Sequence, residues 1–201
     1  MRKTPEHFKR LKIKEVINKI LKSSKTVLSP LSISAKESID DDFTTTDFSF
    51  NIKQGNTEVV TISQKGKGFV DGLFTGLHNY FSPEYQCLSG IKLTDFNVNP
   101  LISKSKSNFG TDAQASVELY VLVSNHGVAE FQHTSRSMIY SSFSAALEAF
   151  QFYINCERTF DKIKLIMEDA SARNRGDIVS RCMYDLSKLT EVLSYEKRKT
   201  N

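Results

Sequence analysis

The chain has 201 residues, of which 39% are hydrophobic and 25% charged, and its formal net charge is +4. This length can build a substantial hydrophobic core, but it cannot hold a (β/α)8 barrel together with a second domain. No apolar stretch is long enough to cross a bilayer and the first residues lack the apolar core of a signal peptide, so the sequence predicts a cytoplasmic protein. The three cysteines lie far apart outside any CxxC pattern, which predicts reduced thiols and neither a disulfide framework nor a zinc site.

The positive charge lies at the amino terminus. Residues 1–30 contain nine of the 27 basic residues and two of the 23 acidic residues, so the rest of the chain is mildly acidic. Residues 5–22 predict an amphipathic helix with Thr4 as its N-cap and Pro5 at its first position. Its apolar face consists of Ile13, Val16, Ile17 and Ile20. Either this face packs on protein while the lysines stay solvated, or the helix binds nucleic acid, a membrane surface or an acidic partner.

Between residues 28 and 156 the apolar pattern predicts a regulatory-type domain made of two βββα units, about 31–81 and 91–156. Each unit alternates with period two and then changes to a helical period. The predicted strands are 31–38, 46–53, 59–62, 91–99, 115–124 and 128–135, and the predicted helices are 66–81 and from about 139. Apolar positions coincide at an offset of 69 residues, as for Phe50 and Leu119, which favours an internal duplication. The predicted fold class is α+β, with a helix covering each antiparallel sheet.

Flanking segments complete the predicted organisation. Serine, threonine and proline at 23–30 predict a linker, which bounds an N-terminal segment at 1–27. Residues 157–201 predict a helical tail: a short helix, a break at "RNRGD" and a second helix from a cap at Asp177 to about residue 196. The apolar stripe of that last helix contains Ile178, Cys182, Met183, Leu186, Leu189 and Leu193. Such a stripe is typical of a packing surface, and pairing with another chain is the alternative.

Few residues indicate chemistry. The four histidines form no HxH or HExxH pair, and "IDDDF" (39–43) lacks the glycine and glutamate of an EF-hand loop. No GxSxG or P-loop motif occurs, so the sequence predicts no enzymatic activity, no cofactor and no metal. "GKGFVDG" places Gly66 and Gly68 where a strand passes into a helix. Backbone amides there either bind a carboxylate or phosphate, or the two glycines serve only the turn.

Three further stretches occur in a characteristic order: "GKGFVDGL" (66–73), "KLTDFNV" (92–98) and "GTDAQASVELYV" (110–121). They lie at a helix start, on a strand and in a turn entering the next strand. In these positions they resemble motifs of the C-terminal regulatory and dimerisation domain of α-isopropylmalate synthases and citramalate synthases. The resemblance covers residues 28–156.

The resemblance implies a free-standing allosteric domain without the catalytic barrel. Such a domain forms an intertwined homodimer, binds leucine or isoleucine, and acts here on a separate synthase chain in leucine or isoleucine biosynthesis. Nucleic acid and membrane are not expected as partners. By resemblance, the effector pocket is formed by Val70, Leu93, Phe96, Pro100, Gly110 and Ala113.

A different class of function is compatible with the same fold. In "SRSMIYSSF" (135–143), Ser135 and Ser137 stand where the family has glycines. This departure favours the alternative of a dimeric scaffold or protein-interaction module that has lost ligand binding. Nucleic-acid binding through the basic helix is a third hypothesis, opposed by the acidic body and by the lack of interleaved aromatic residues beyond Phe8.

Overall fold

A computed structural model of the protein describes residues 5–40, 43–54, 58–101, 114–123 and 127–190. The helices are α1 (Pro5–Leu21), α2 (Phe69–Phe81), α3 (Met138–Ala172) and α4 (Gly176–Thr190). The strands are β1 (Leu28–Asp40), β2 (Phe43–Gln54), β3 (Glu58–Gly66), β4 (Ile91–Leu101), β5 (Gln114–Val123) and β6 (Gly127–Ser135). Within these residues the strands form two antiparallel sheets, sheet A in the order β1-β2-β3 and sheet B in the order β4-β5-β6. The predicted α+β class, with three strands followed by a helix in each half, is confirmed.

Several predicted boundaries were wrong because hydrogen-bond pairing continues where the apolar pattern stops. β1 pairs with β2 from Leu28 to Asp40, beyond the predicted 31–38, since polar residues join a backbone ladder as readily as apolar ones. β3 continues to Gly66, and α2 therefore begins at Phe69 and not at residue 66.

A β-bulge in each of the strands β1 and β4 decides which side chains face the core. In β4 the bulged residue is Thr94, which has no partner between the pairs Leu93–Val121 and Asp95–Tyr120. Without this extra residue Leu93 and Phe96 would lie on opposite faces of the strand, because side chains alternate. With it, both lie on the face that packs against the core.

Helices α2 and α3 each contact strands of both sheets as well as each other, which places them between the sheets. The Phe143 ring of α3 meets the Phe50 ring of sheet A edge-on at 5.2 Å. Phe74 of α2 lies 5.0 Å from Phe150 of α3, measured between ring centroids. A Cβ added to Gly76 would lie 3.2 Å from the Phe50 ring, so a glycine allows α2 to approach sheet A closely.

Helix α1 packs its apolar face on the body of the protein. It contacts α3, α4 and β6, and Ile13, Val16 and Ile17 are buried as predicted. Leu21, and not Ile20, is the fourth fully buried side chain of this face, while Ile20 is half-buried. The packed interpretation of the basic helix is therefore confirmed for its apolar side.

No helix end accompanies the unit boundary that was expected at residue 156. Helix α3 runs without interruption for 35 residues, through the position where the tail segment was expected to begin. Buried Thr159 and Ile163 continue its packed face beyond Cys156. The helix ends where Asn174 adopts a left-handed φ of 55°, which confirms the predicted break, and α4 begins at Gly176, before the expected Asp177 cap.

Candidate functional site

The turn between β3 and α2 is built by two glycines with different roles. A Cβ on Gly66 would lie 2.5 Å from the Cα of Gly72, so this position cannot hold a side chain without moving the backbone. A Cβ on Gly68 would meet nothing within 4 Å, and its φ of 172° is extended backbone that any residue adopts. Gly66 is thus explained by chain geometry, whereas nothing in the turn requires a glycine at position 68.

The first turn of α2 has no side-chain cap at Gly68. The Asp71 carboxylate accepts a weak hydrogen bond of 3.4 Å from the backbone N–H of Lys67. Its negative charge complements the positive end of the helix dipole and opposes an anion placed there. Val70, in the same turn, is half-buried and packs against the core.

The corresponding turn before α3 is closed by serine hydroxyls. The Ser137 Oγ accepts a hydrogen bond of 3.2 Å from the Tyr140 N–H and so caps the helix. The Ser135 Oγ donates to the Ser137 carbonyl at 2.8 Å and lies 2.8 Å from the Ser141 Oγ. Ser135 and Ser141 occupy the positions that Gly66 and Gly72 hold in the first half, so a hydroxyl contact replaces a bare backbone contact.

The remaining predicted effector residues lie in the second half of the protein. Leu93 and Phe96 are half-buried on the core face of β4, opposite Val121 and Leu119 of β5. Pro100 pairs with Ala115 near the end of the strand and is exposed. Gly110 and Ala113 lie outside the described residues.

A groove that the sequence analysis missed lies between α1 and α4 and has a volume of about 240 Å³. It is lined by Lys12, Glu15, Val16, Lys19, Arg181, Tyr184, Asp185 and Lys188. None of the predicted effector residues belongs to this lining. The helical spacing of the lining residues within α1 and within α4 could be predicted from the sequence. The contact between two helices so far apart along the chain could not.

Ion pairs and an aromatic contact shape the groove. The Asp185 carboxylate is nearly buried and lies 2.7 Å from the Lys19 Nζ. The Lys188 Nζ lies 4.1 Å from the centroid of the Tyr184 ring. At the rim, Arg181 pairs with Asp177, a carboxylate whose pKa is lowered to about 2, first by its hydrogen bond to Arg175.

A buried network holds the junction between α1 and β1 onto α3. The side-chain amide of Asn155 accepts from the Thr26 N–H and donates to the Thr26 carbonyl, both at 2.8 Å. The Arg158 guanidinium donates to the Thr26 hydroxyl, and the Gln151 amide oxygen accepts from the Leu28 N–H at 2.9 Å. The predicted linker is therefore fixed by side-chain bonds at positions 26 and 28.

Next to this junction, burial raises the pKa of Tyr85 to about 12, and a hydrogen bond to Glu84 adds to the effect. The Glu157 carboxylate accepts from the backbone N–H groups of Gln86 and Cys87 at 3.2 and 2.8 Å. Burial raises the pKa of the Cys87 thiol well above its ordinary value, so this thiol stays protonated at neutral pH.

The described part of the chain holds no group of three or more histidine, cysteine or acidic side chains arranged to bind a metal ion. All three cysteines are free thiols and buried. No helix among the described residues has the length and apolar character needed to span a bilayer.

The chain matches no model of a known protein family, and no curated protein is significantly similar to it in sequence. The described residues define the class of fold: α+β, with two three-stranded antiparallel sheets that enclose a pair of helices. The resemblance to the regulatory domain of the synthases stays a prediction from three sequence motifs.

Proposed function

We propose that the protein is a non-catalytic, dimeric regulatory protein resembling the allosteric domain of α-isopropylmalate and citramalate synthases. In this proposal it binds a branched-chain amino acid, leucine or isoleucine, or a related metabolite. It acts on a separate synthase chain of leucine or isoleucine biosynthesis.

The observation that supports this proposal is the equivalence of the two halves. Each residue pair between β2 and β3 recurs 69 residues later between β5 and β6, so that Thr46–Gly66 corresponds to Ala115–Ser135. Helices α2 and α3 start at Phe69 and Met138, which are separated by the same offset.

The bulges strengthen the equivalence. The bulge of β1 lies opposite Ile52 and Asn51, and that of β4 lies opposite Val121 and Tyr120, again 69 residues later. Repetition of an irregularity at the same register is stronger support for duplication than repetition of an apolar pattern, since a bulge has no periodicity of its own. A duplicated βββα unit is what the resemblance implies.

The difference between the two turns indicates where an effector would bind. In the second half Ser137 caps the helix, whereas the start of α2 carries no side-chain cap. Asp71 opposes a lone anion there, but an amino acid could place its carboxylate at the backbone amides of the helix start and its ammonium group against Asp71. Val70 stands beside these amides and would contact a branched aliphatic side chain. We therefore place the proposed effector site at the start of α2.

A thermal-shift titration with leucine, isoleucine, valine and their 2-keto acids tests this proposal. A ligand that binds only the folded state raises the melting temperature with increasing concentration, and we expect one branched compound to do so selectively. Val70→Ala should weaken the response, while Val59→Ala serves as the matched control because Val59 is 60% exposed on β3. A uniform lack of response, or an equal response of the two variants, would contradict the proposed site.

The second candidate is the dimeric scaffold of the same fold without a ligand. The closed serine turn favours it, because hydroxyl contacts among Ser135, Ser137 and Ser141 fill one of the two equivalent turns. Sedimentation velocity, which measures the oligomeric state, helps to distinguish the two candidate functions. A dimer without any thermal response supports the scaffold, and a monomer at all concentrations contradicts both candidates.

A further inference from the structure

The groove between α1 and α4 is lined by matched rows of side chains. Residues 12, 15, 16 and 19 of α1 face residues 181, 184, 185 and 188 of α4. Each row spans two helical turns, about 10 Å of helix axis. The shape therefore suits an elongated segment that lies along the two helices.

The size of the groove argues against a small-molecule pocket. Its volume of about 240 Å³ is below the roughly 300–1,000 Å³ that is usual for such pockets. It can accept one or two side chains of a bound peptide. Val16 at its base is buried, whereas the Tyr184 ring is 64% exposed and offers an apolar surface.

The charge of the groove selects the partner. Four cationic side chains and two carboxylates line it, and one of those carboxylates, Asp185, is neutralised by Lys19. Lys12 is exposed and makes no ion pair within the described part of the chain. Arg181 forms an exposed ion pair with the Asp177 carboxylate, and its Nε–H donates to the Asp177 carbonyl at 3.3 Å. A competing carboxylate can replace the exposed ion pair at little cost.

The lining also discriminates between acidic partners. Glu15 is exposed among the cations, and it would repel a nucleic acid, whose phosphates repeat along the whole strand. An acidic peptide can place its carboxylates at separate points and an apolar side chain between them. The charge pattern therefore favours a peptide over a polyphosphate.

We propose that this groove docks an acidic, amphipathic helical segment of the partner protein. An apolar side chain of the segment enters between Val16 and Tyr184, and its carboxylates face Lys12, Arg181 and Lys188. This inference rests on the proposed function, in which the protein acts on a separate chain and needs a surface to bind it.

Fluorescence anisotropy with a labelled peptide tests the proposal on the full chain. The probe is a designed peptide of about 15 residues that carries leucines on one helical face and glutamates elsewhere. Lys12→Glu with Lys188→Glu should raise its Kd about tenfold or more, an effect that shrinks with added salt. The charge-matched control is Lys36→Glu with Lys92→Glu, two exposed lysines on β1 and β4, which should leave the Kd unchanged.

A second variant keeps the test independent of charge. Tyr184→Ala should also weaken binding, and it should leave the circular dichroism spectrum intact because the ring is mostly exposed. The proposal is overturned if the peptide does not bind, if a version with glutamine in place of glutamate binds equally well, or if both charge variants behave alike. Preferential binding of a single-stranded DNA oligonucleotide through the same lysines would also overturn it.

The thermal-shift titration with branched compounds shows whether the docking proposal fails alone or the proposed function fails as well. A thermal response to leucine or isoleucine without peptide binding would remove only the docking surface. Peptide binding without any thermal response would retain the groove and favour the scaffold.

Discussion

At the scale of single residues, Gly66 and Gly68 form a matched pair for testing the turn before α2. Gly66→Ala places a Cβ 2.5 Å from a backbone atom of Gly72, so we expect a loss of about 1–3 kcal/mol in the free energy of unfolding. Gly68→Ala meets no neighbour and should change it by less than about 0.5 kcal/mol. Urea denaturation of both variants measures the difference. Equal effects would show that the close approach of β3 and α2 does not limit this position.

The raised pKa of Tyr85 predicts that the protein loses stability at alkaline pH. Its pKa in the folded protein is raised from 10.0 to about 12, so the folded state holds the phenolic proton more tightly than the unfolded state. This contribution is fully present below pH 10 and is lost as the pH rises towards 12. Urea denaturation between these limits should show a steeper fall in stability for the native chain than for Tyr85→Phe. Parallel curves would mean that the phenol titrates alike in both states.

At the scale of elements, Ser137 decides how α3 begins. Its hydroxyl accepts from the Tyr140 N–H, and loss of an N-cap destabilises a protein by about 1 kcal/mol. Ser137→Ala should therefore lower the denaturation midpoint, while Ser63→Ala, at an exposed position of β3, should not. Gly68→Ser adds a hydroxyl at the uncapped start of α2 and should raise the free energy of unfolding by about a few tenths of a kcal/mol. If Ser137→Ala left the denaturation midpoint unchanged, water would be replacing the hydrogen bond of the cap.

The elements themselves follow from periodicity, but their rotation and their ends do not. Apolar spacing predicts α1, yet whether Ile20 or Leu21 is buried depends on how the helix is turned against α3. Nothing in the sequence marks Thr94 as a bulged residue, although the bulge brings Leu93 and Phe96 to one face. The continuity of α3 was missed because a change in apolar pattern was read as an end, in the absence of any glycine or proline to cause one.

At the scale of the whole molecule, one hydrophobic core includes residues from all three predicted segments, 1–27, 28–156 and 157–201. Buried residues of α1, both sheets, α2, α3 and α4 belong to one continuous cluster. Sites that depend on long-range contacts, such as the α1–α4 groove and the Asn155–Thr26 junction, are therefore out of reach of local sequence patterns.

The continuous core predicts that α1 is required for folding, although composition alone marks it as an appendage. Among its described side chains, Ile13, Val16, Ile17 and Leu21 are each at most 4% exposed. Burying such a side chain contributes about 1.5–3 kcal/mol, so the four together contribute about 6–12 kcal/mol, comparable to the roughly 5–15 kcal/mol that stabilises a typical domain.

Deleting residues 1–24 should therefore abolish the cooperative thermal transition seen by circular dichroism. Two point variants test the contribution of α1 within the full chain. Ile17→Ala should lower the free energy of unfolding by about 2–5 kcal/mol. Leu11→Ala, at a position 42% exposed, should lower it by less than about 1 kcal/mol. Retention of a sharp transition at an unchanged temperature in the shortened chain would mean that the remaining elements form a self-sufficient core. The stability of α1 would then depend on the body, and the body would not depend on α1.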